Sequence, residues 1–113
     1  MCKYKKGDVV WALCPFTDGT GTKHRPCIVL NLDKDCRYFI VECSSLKGKH
    51  HNLPGIIVRS NHDEFANLGF PESTFINFSN KAWLKETFLR PPPGEKENPI
   101  GVCNFMEKIV KPD

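Results

Sequence analysis

Residues 7–31 read GDVVWALCPFTDGTGTKHRPCIVLN. Two short apolar runs, Val9–Val10–Trp11–Ala12–Leu13 and Cys27–Ile28–Val29–Leu30, flank a polar stretch with two glycines. Both runs are rich in β-branched or aromatic residues and bounded by turn formers, which predicts two strands. Asp18, Gly19 and Gly21 suit tight turns. The polar stretch ends in Lys23–His24–Arg25–Pro26. Pro26 has no N–H to donate and is tolerated where it opens the second strand. Its ring also drives Arg25 towards an extended backbone. Arg25 is thus a cation held at a rigid junction, as phosphate chemistry requires.

Outward from this stretch, strands are expected at 8–14, 26–32, 37–43, 56–59 and 73–78. The first, apolar on both faces, is expected to be central. Asp33–Lys34–Asp35 makes a polar hairpin turn between the second and third strands. Residues 60–68 read as an irregular or single helical turn. In 80–90 the expectation is a short strand over 82–84, followed by a turn. Pro91 to Glu95 is a polar loop. A short helix is expected over 104–110, with Asn104 as N-cap, Glu107 three residues on, and Phe105 and Ile109 on the buried side. Short strands, turn-rich links and one late helix make a mainly β fold, a small, strongly bent barrel.

A chain of 113 residues is expected to form one domain with one real core. No apolar run approaches the roughly 20 residues of a membrane span. Met1 to Lys6 lacks the apolar region of a signal peptide, so the expected location is the cytoplasm and no membrane partner is expected. The net charge of +3 permits an anionic partner without demanding one. The six cysteines form no CxxC pair and there is no HxxxH, so neither a metal site nor any other cofactor is expected. Without a secretory signal, disulfides are not expected either. A thiol- or zinc-based protein rests on the cysteine count alone.

The order and spacing of Gly7–Asp8, Pro15–Phe16–Thr17–Asp18, the glycine-rich loop and His24–Arg25–Pro26 leading into Cys27–Ile28–Val29–Leu30 resemble the MazF/PemK family of toxin endoribonucleases. The resemblance implies an SH3-like barrel and a homodimer. It also implies a type II toxin–antitoxin role: cleavage of single-stranded RNA, mRNA included, by attack of the neighbouring 2′-OH without a metal. A cognate antitoxin would lie in the same cleft as an extended acidic peptide. By this resemblance Arg25 is the central catalytic residue. Ser44 or Ser45 takes the place of a small hydroxyl residue, commonly threonine, at the end of the third strand.

His24 is a candidate for proton transfer, although adjacent residues on an extended chain point to opposite faces. Candidate substrate contacts are Thr17, Lys23, the basic loop Lys47, Lys49, His50 and His51, and Asn77 in a segment similar to one of the family. Aromatic residues in or beside strands, Trp11 among them, read as core. The alternative function is a barrel that binds RNA or a regulatory protein without catalysis.

Overall fold

The computed structural model describes residues 1–14, 23–46 and 53–110. Six strands, β1 (Asp8–Cys14), β2 (Lys23–Leu32), β3 (Arg37–Ser45), β4 (Gly55–Val58), β5 (Thr74–Lys85) and β6 (Gly101–Val102), form one sheet in the order β4-β5-β3-β2-β1-β6. All pairings are antiparallel. The sheet curls into a half-barrel, with α1 (Phe65–Leu68) and α2 (Met106–Val110) as the two short α-helices among the described residues. The mainly β, bent-barrel expectation stands.

Strand alternation sends neighbouring residues into two apolar cores. On one side of the sheet Val9, Ile28, Leu30, Val41 and Ile76 meet Leu68, Phe70, Phe105 and Ile109. On the other, Val10, Ala12, Cys27, Val29, Tyr38 and Ile40 meet Tyr4, Leu84 and Leu89. Both apolar faces of β1 are satisfied in this way. Its position is second from the edge, not central. β6 covers only Asp8 and Val9 of its outer side. At Trp11 the Asn98 side-chain amide takes over, accepting from the backbone N–H at 2.7 Å and donating to the carbonyl at 3.1 Å.

The hairpin turn between β2 and β3 works as its composition implies. Asp33 Oδ1 accepts from the N–H groups of Asp35 and Arg37, and Oδ2 from Arg37 Nε. Several boundaries differ from expectation. β2 begins three residues early, because His24 and Arg25 continue the ladder opposite Leu13 and Ala12. β3 continues to Ser45, so both serines are strand residues, paired with Phe75 and Thr74. The stretches expected at 73–78 and 82–84 are one strand, β5, interrupted by a bulge opposite Val41 and Cys43. β4 stops at Val58, and residues 65–68 are helical. Asn104 lies two residues before α2, and its side-chain amide donates to Glu64 Oε1.

Cys2 and Cys36 form a disulfide, which overturns the expectation of none. The N-terminal segment folds back beside the β2–β3 turn. Tyr4 N–H donates to the Tyr38 hydroxyl and Lys3 N–H to Glu86 Oε1. This return brings together two cysteines 34 residues apart, a tertiary event that cysteine spacing does not reveal. Among the described residues, no helix is long and apolar enough to cross a membrane.

Candidate active site

β1, β2 and β3 deliver their ends to one cleft of about 170 Å³. Its lining includes Trp11 from β1; His24, Arg25 and Pro26 from β2; Cys43, Ser44 and Ser45 from β3; and Pro71, Glu72 and Thr74 at the start of β5. Because 24–26 and 43–45 are successive strand residues, backbone and side chains both form its wall. The volume is below the roughly 300–1,000 Å³ typical of small-molecule pockets. It suits one group of a longer ligand better than an entire small molecule.

Arg25 is the cation of this cleft, and its side chain keeps 27% exposure. Its Nε lies 3.5 Å from Glu42 Oε2. The distance is that of an ion pair but too long for a good hydrogen bond. Both atoms are buried without a hydrogen-bond partner among the described residues. Glu42 itself is 4% exposed. Its other oxygen, Oε1, accepts from Asn80 Nδ2 at 3.0 Å. Burial raises the Glu42 carboxyl above the ordinary carboxylate range, while the Asn80 hydrogen bond and the Arg25 charge pull the other way.

The register explains how these groups meet. Cys27 pairs with Glu42 across the β2–β3 ladder, and Arg25 lies two residues along β2 from Cys27, on the same face. Ser44 lies two residues beyond Glu42 and shares that face, whereas Ser45 alternates to the other. Thr74 is 2% exposed and its hydroxyl donates to the Glu72 carbonyl at 2.7 Å.

The structure therefore brings together four residues expected to do chemistry: His24, Arg25, Ser44 and Ser45. Lys23 is exposed at the first position of β2, opposite Cys14, and is not part of the described lining. Asn77 also lies outside that lining. It pairs with Gly55, and its Oδ1 accepts from Ser79 N–H. Thr17, Lys47, Lys49, His50 and His51 lie outside the described residues. Trp11, expected in the core, is half-buried and walls the cleft.

Sequence reasoning passed over Glu42 and Asn80. The signal was present: Glu42 is a carboxylate inside the apolar run Tyr38–Phe39–Ile40–Val41–Glu42–Cys43. A charge so placed is almost never buried without a partner.

The free cysteines offer no comparable chemistry. Cys14 and Cys27 face each other with their sulfurs 3.1 Å apart, and burial pushes the thiols of Cys27 and Cys43 well up. A buried thiol held protonated is a poor nucleophile. Among the described residues, no group of three or more His, Cys, Asp or Glu can hold a metal ion. No protein-family model matches the chain, and no curated protein matches it.

Proposed function

We propose that the protein is an endoribonuclease of the MazF/PemK type that cleaves single-stranded RNA. The observation carrying this reading is the convergence of Arg25, His24, Ser44 and Ser45 on one small cleft. In the proposed reaction a ribose 2′-OH attacks the adjacent phosphorus and the P–O5′ bond breaks. A 2′,3′-cyclic phosphate and a 5′-hydroxyl result. The proton lost by the 2′-OH must be accepted and another delivered to the 5′ oxygen, while charge builds on the phosphoryl oxygens.

In this scheme the Arg25 guanidinium holds the phosphoryl oxygens. Ser44, on the Arg25 face, donates a hydrogen bond to the same group. His24, which alternates to the other face of β2 but also lines the cleft, supplies the proton to the departing 5′ oxygen, and solvent water accepts the proton lost by the 2′-OH. The proposed setting is a type II toxin–antitoxin pair, in which the enzyme is a cytoplasmic homodimer and an extended acidic antitoxin segment occupies the cleft in place of RNA.

The test is incubation of a long, mostly unstructured RNA with purified protein in EDTA, alongside Arg25→Ala. Discrete fragments from the wild type and none from the variant are expected. Fragments from both would remove Arg25 from the centre of the mechanism. RNA that is bound by the wild type but never cut would favour the non-catalytic binding module.

A further inference from the structure

We infer that Glu42, steadied by Asn80, is a positioning residue that presents the Arg25 guanidinium to an anionic ligand and limits how tightly that ligand is held. The inference rests on the reading of the cleft as a phosphodiester site. Glu42 is almost fully buried and is not part of the described lining, so it acts through Arg25 rather than on the ligand.

The geometry gives Glu42 two effects. It approaches Arg25 at Nε, one edge of a planar, five-donor group. The remaining guanidinium nitrogens are the ones that can grip a phosphate as a fork. A carboxylate fixed at that edge therefore sets the plane of the guanidinium. The Asn80 hydrogen bond prevents the carboxylate itself from turning. Between ions in a partly buried setting, a 3.5 Å separation is close enough for strong coupling without hydrogen bonding.

The second effect is repulsion. Once a phosphodiester docks on Arg25, two anions share one cation. The ligand is held less tightly than a lone arginine would hold it, and product leaves faster. The two unpartnered buried atoms, Arg25 Nε and Glu42 Oε2, are what an ion pair held by charge alone looks like.

The test uses the full chain and three variants. Glu42→Gln keeps the shape and removes the charge. Glu42→Asp keeps the charge but withdraws it by one methylene. Glu95→Gln removes an exposed charge outside the described lining and controls for net charge. The binding probe is a fluorescent single-stranded oligodeoxynucleotide, which lacks the 2′-OH and cannot be cut by this route. Anisotropy titrations at fixed ionic strength are expected to show Glu42→Gln binding about threefold or more tighter than Glu95→Gln, as loss of a like-charge repulsion requires. Glu42→Asp is expected to bind within about twofold of wild type, because the charge remains.

Against RNA, both Glu42 variants are expected to lose kcat by about tenfold or more, the cost of a misaligned guanidinium. KM is expected to fall only for Glu42→Gln. The Arg25 Nε–Hε resonance is expected to be sharp in wild type and broadened by water exchange in both variants.

Equal or weaker oligonucleotide binding by Glu42→Gln would overturn the inference, as would an unchanged Arg25 resonance or an unchanged kcat in Glu42→Asp. Wild-type protein that binds the oligonucleotide without cutting RNA would sink the ribonuclease reading alone, and the binding ratio and resonance would still decide the role of Glu42. If neither wild type nor Glu42→Gln binds, the anion site itself is refuted and this inference with it.

Discussion

At the scale of the residue, the cleft is governed by a charge that the fold buries. Glu42 sits among apolar neighbours because the β3 ladder places it opposite Cys27, and among the described residues only Arg25 and Asn80 meet its oxygens. Burial raises its carboxyl, so the folded protein favours the protonated form more than the unfolded chain does. The stability this confers is full below the ordinary carboxylate range and is lost as pH rises through the raised value. Glu42→Gln mimics the protonated form at every pH. Its melting temperature relative to wild type is therefore expected to increase as pH is taken from about 4 to about 7. A difference that stays flat with pH would mean that the carboxyl is not raised.

The same alternation separates the two serines, which the sequence alone leaves equivalent. Ser44 shares the face of Arg25 and Glu42, and Ser45 does not. Ser44→Ala is expected to lower RNA cleavage by about tenfold to a hundredfold, as for removal of one donor to a developing oxyanion. Ser45→Ala is expected to stay within about threefold of wild type, since the donor it deletes from the cleft wall is not on the Arg25 face. Equal losses, measured as kcat/KM on one RNA, would refute this assignment. Arg25 was legible because His24–Arg25–Pro26 is a local pattern. Glu42 and Asn80 were not, because their pairing depends on a β3–β5 register that contains a bulge.

At the scale of the element, the sequence pattern reveals β1 to β5 with shifted bounds, and β6 not at all. The pieces it missed are held by tertiary contacts instead. β6 is two residues long, and Gly101 lies so close to α1 that a Cβ there would collide with the Leu68 carbonyl. Gly69, the left-handed cap of α1 at φ 74°, meets the Ile100 carbonyl in the same way. α1 and β6 are therefore packed backbone to backbone, an arrangement invisible to a pattern of apolar side chains. Gly69→Ala strains both the dihedral and the contact and is expected to destabilise the fold by more than about 1 kcal/mol, measured by urea unfolding. An unchanged midpoint would show that the two backbones can separate freely.

The Cys2–Cys36 bond belongs to the same scale. It closes a long loop and ties the N-terminal segment to the β2–β3 turn. A loop of this length corresponds to about 3–4 kcal/mol in the chain-entropy account. Cys2→Ser is expected to lower the denaturation midpoint accordingly while leaving the cleft intact, because neither cysteine lines it. Identical midpoints for Cys2→Ser and wild type, both under non-reducing conditions, would show that the bond does not form in solution.

At the scale of the whole molecule, a net charge of +3 is too small to make this a general polyanion binder. In the proposed reading anion binding comes from local placement: Arg25 in the described cleft, with Lys23 exposed at the same end of β2. Each phosphate neutralised on a single strand contributes about −0.7 to the slope of log K against log salt. Arg25→Ala should therefore weaken oligodeoxynucleotide binding and flatten that slope by about 0.7, one phosphate contact. Lys23→Ala should flatten it by no more than the same amount, without abolishing RNA cleavage, because an exposed lysine supplies attraction and not alignment. The measurement is a set of anisotropy titrations across salt concentrations for wild type and both variants. If Arg25→Ala lowers affinity with no change in slope, the guanidinium contacts no phosphate, and its place in the cleft is to hold Glu42 rather than the reverse. The direction of dependence between those two residues is thus settled by salt alone, independently of whether the strand is ever cut.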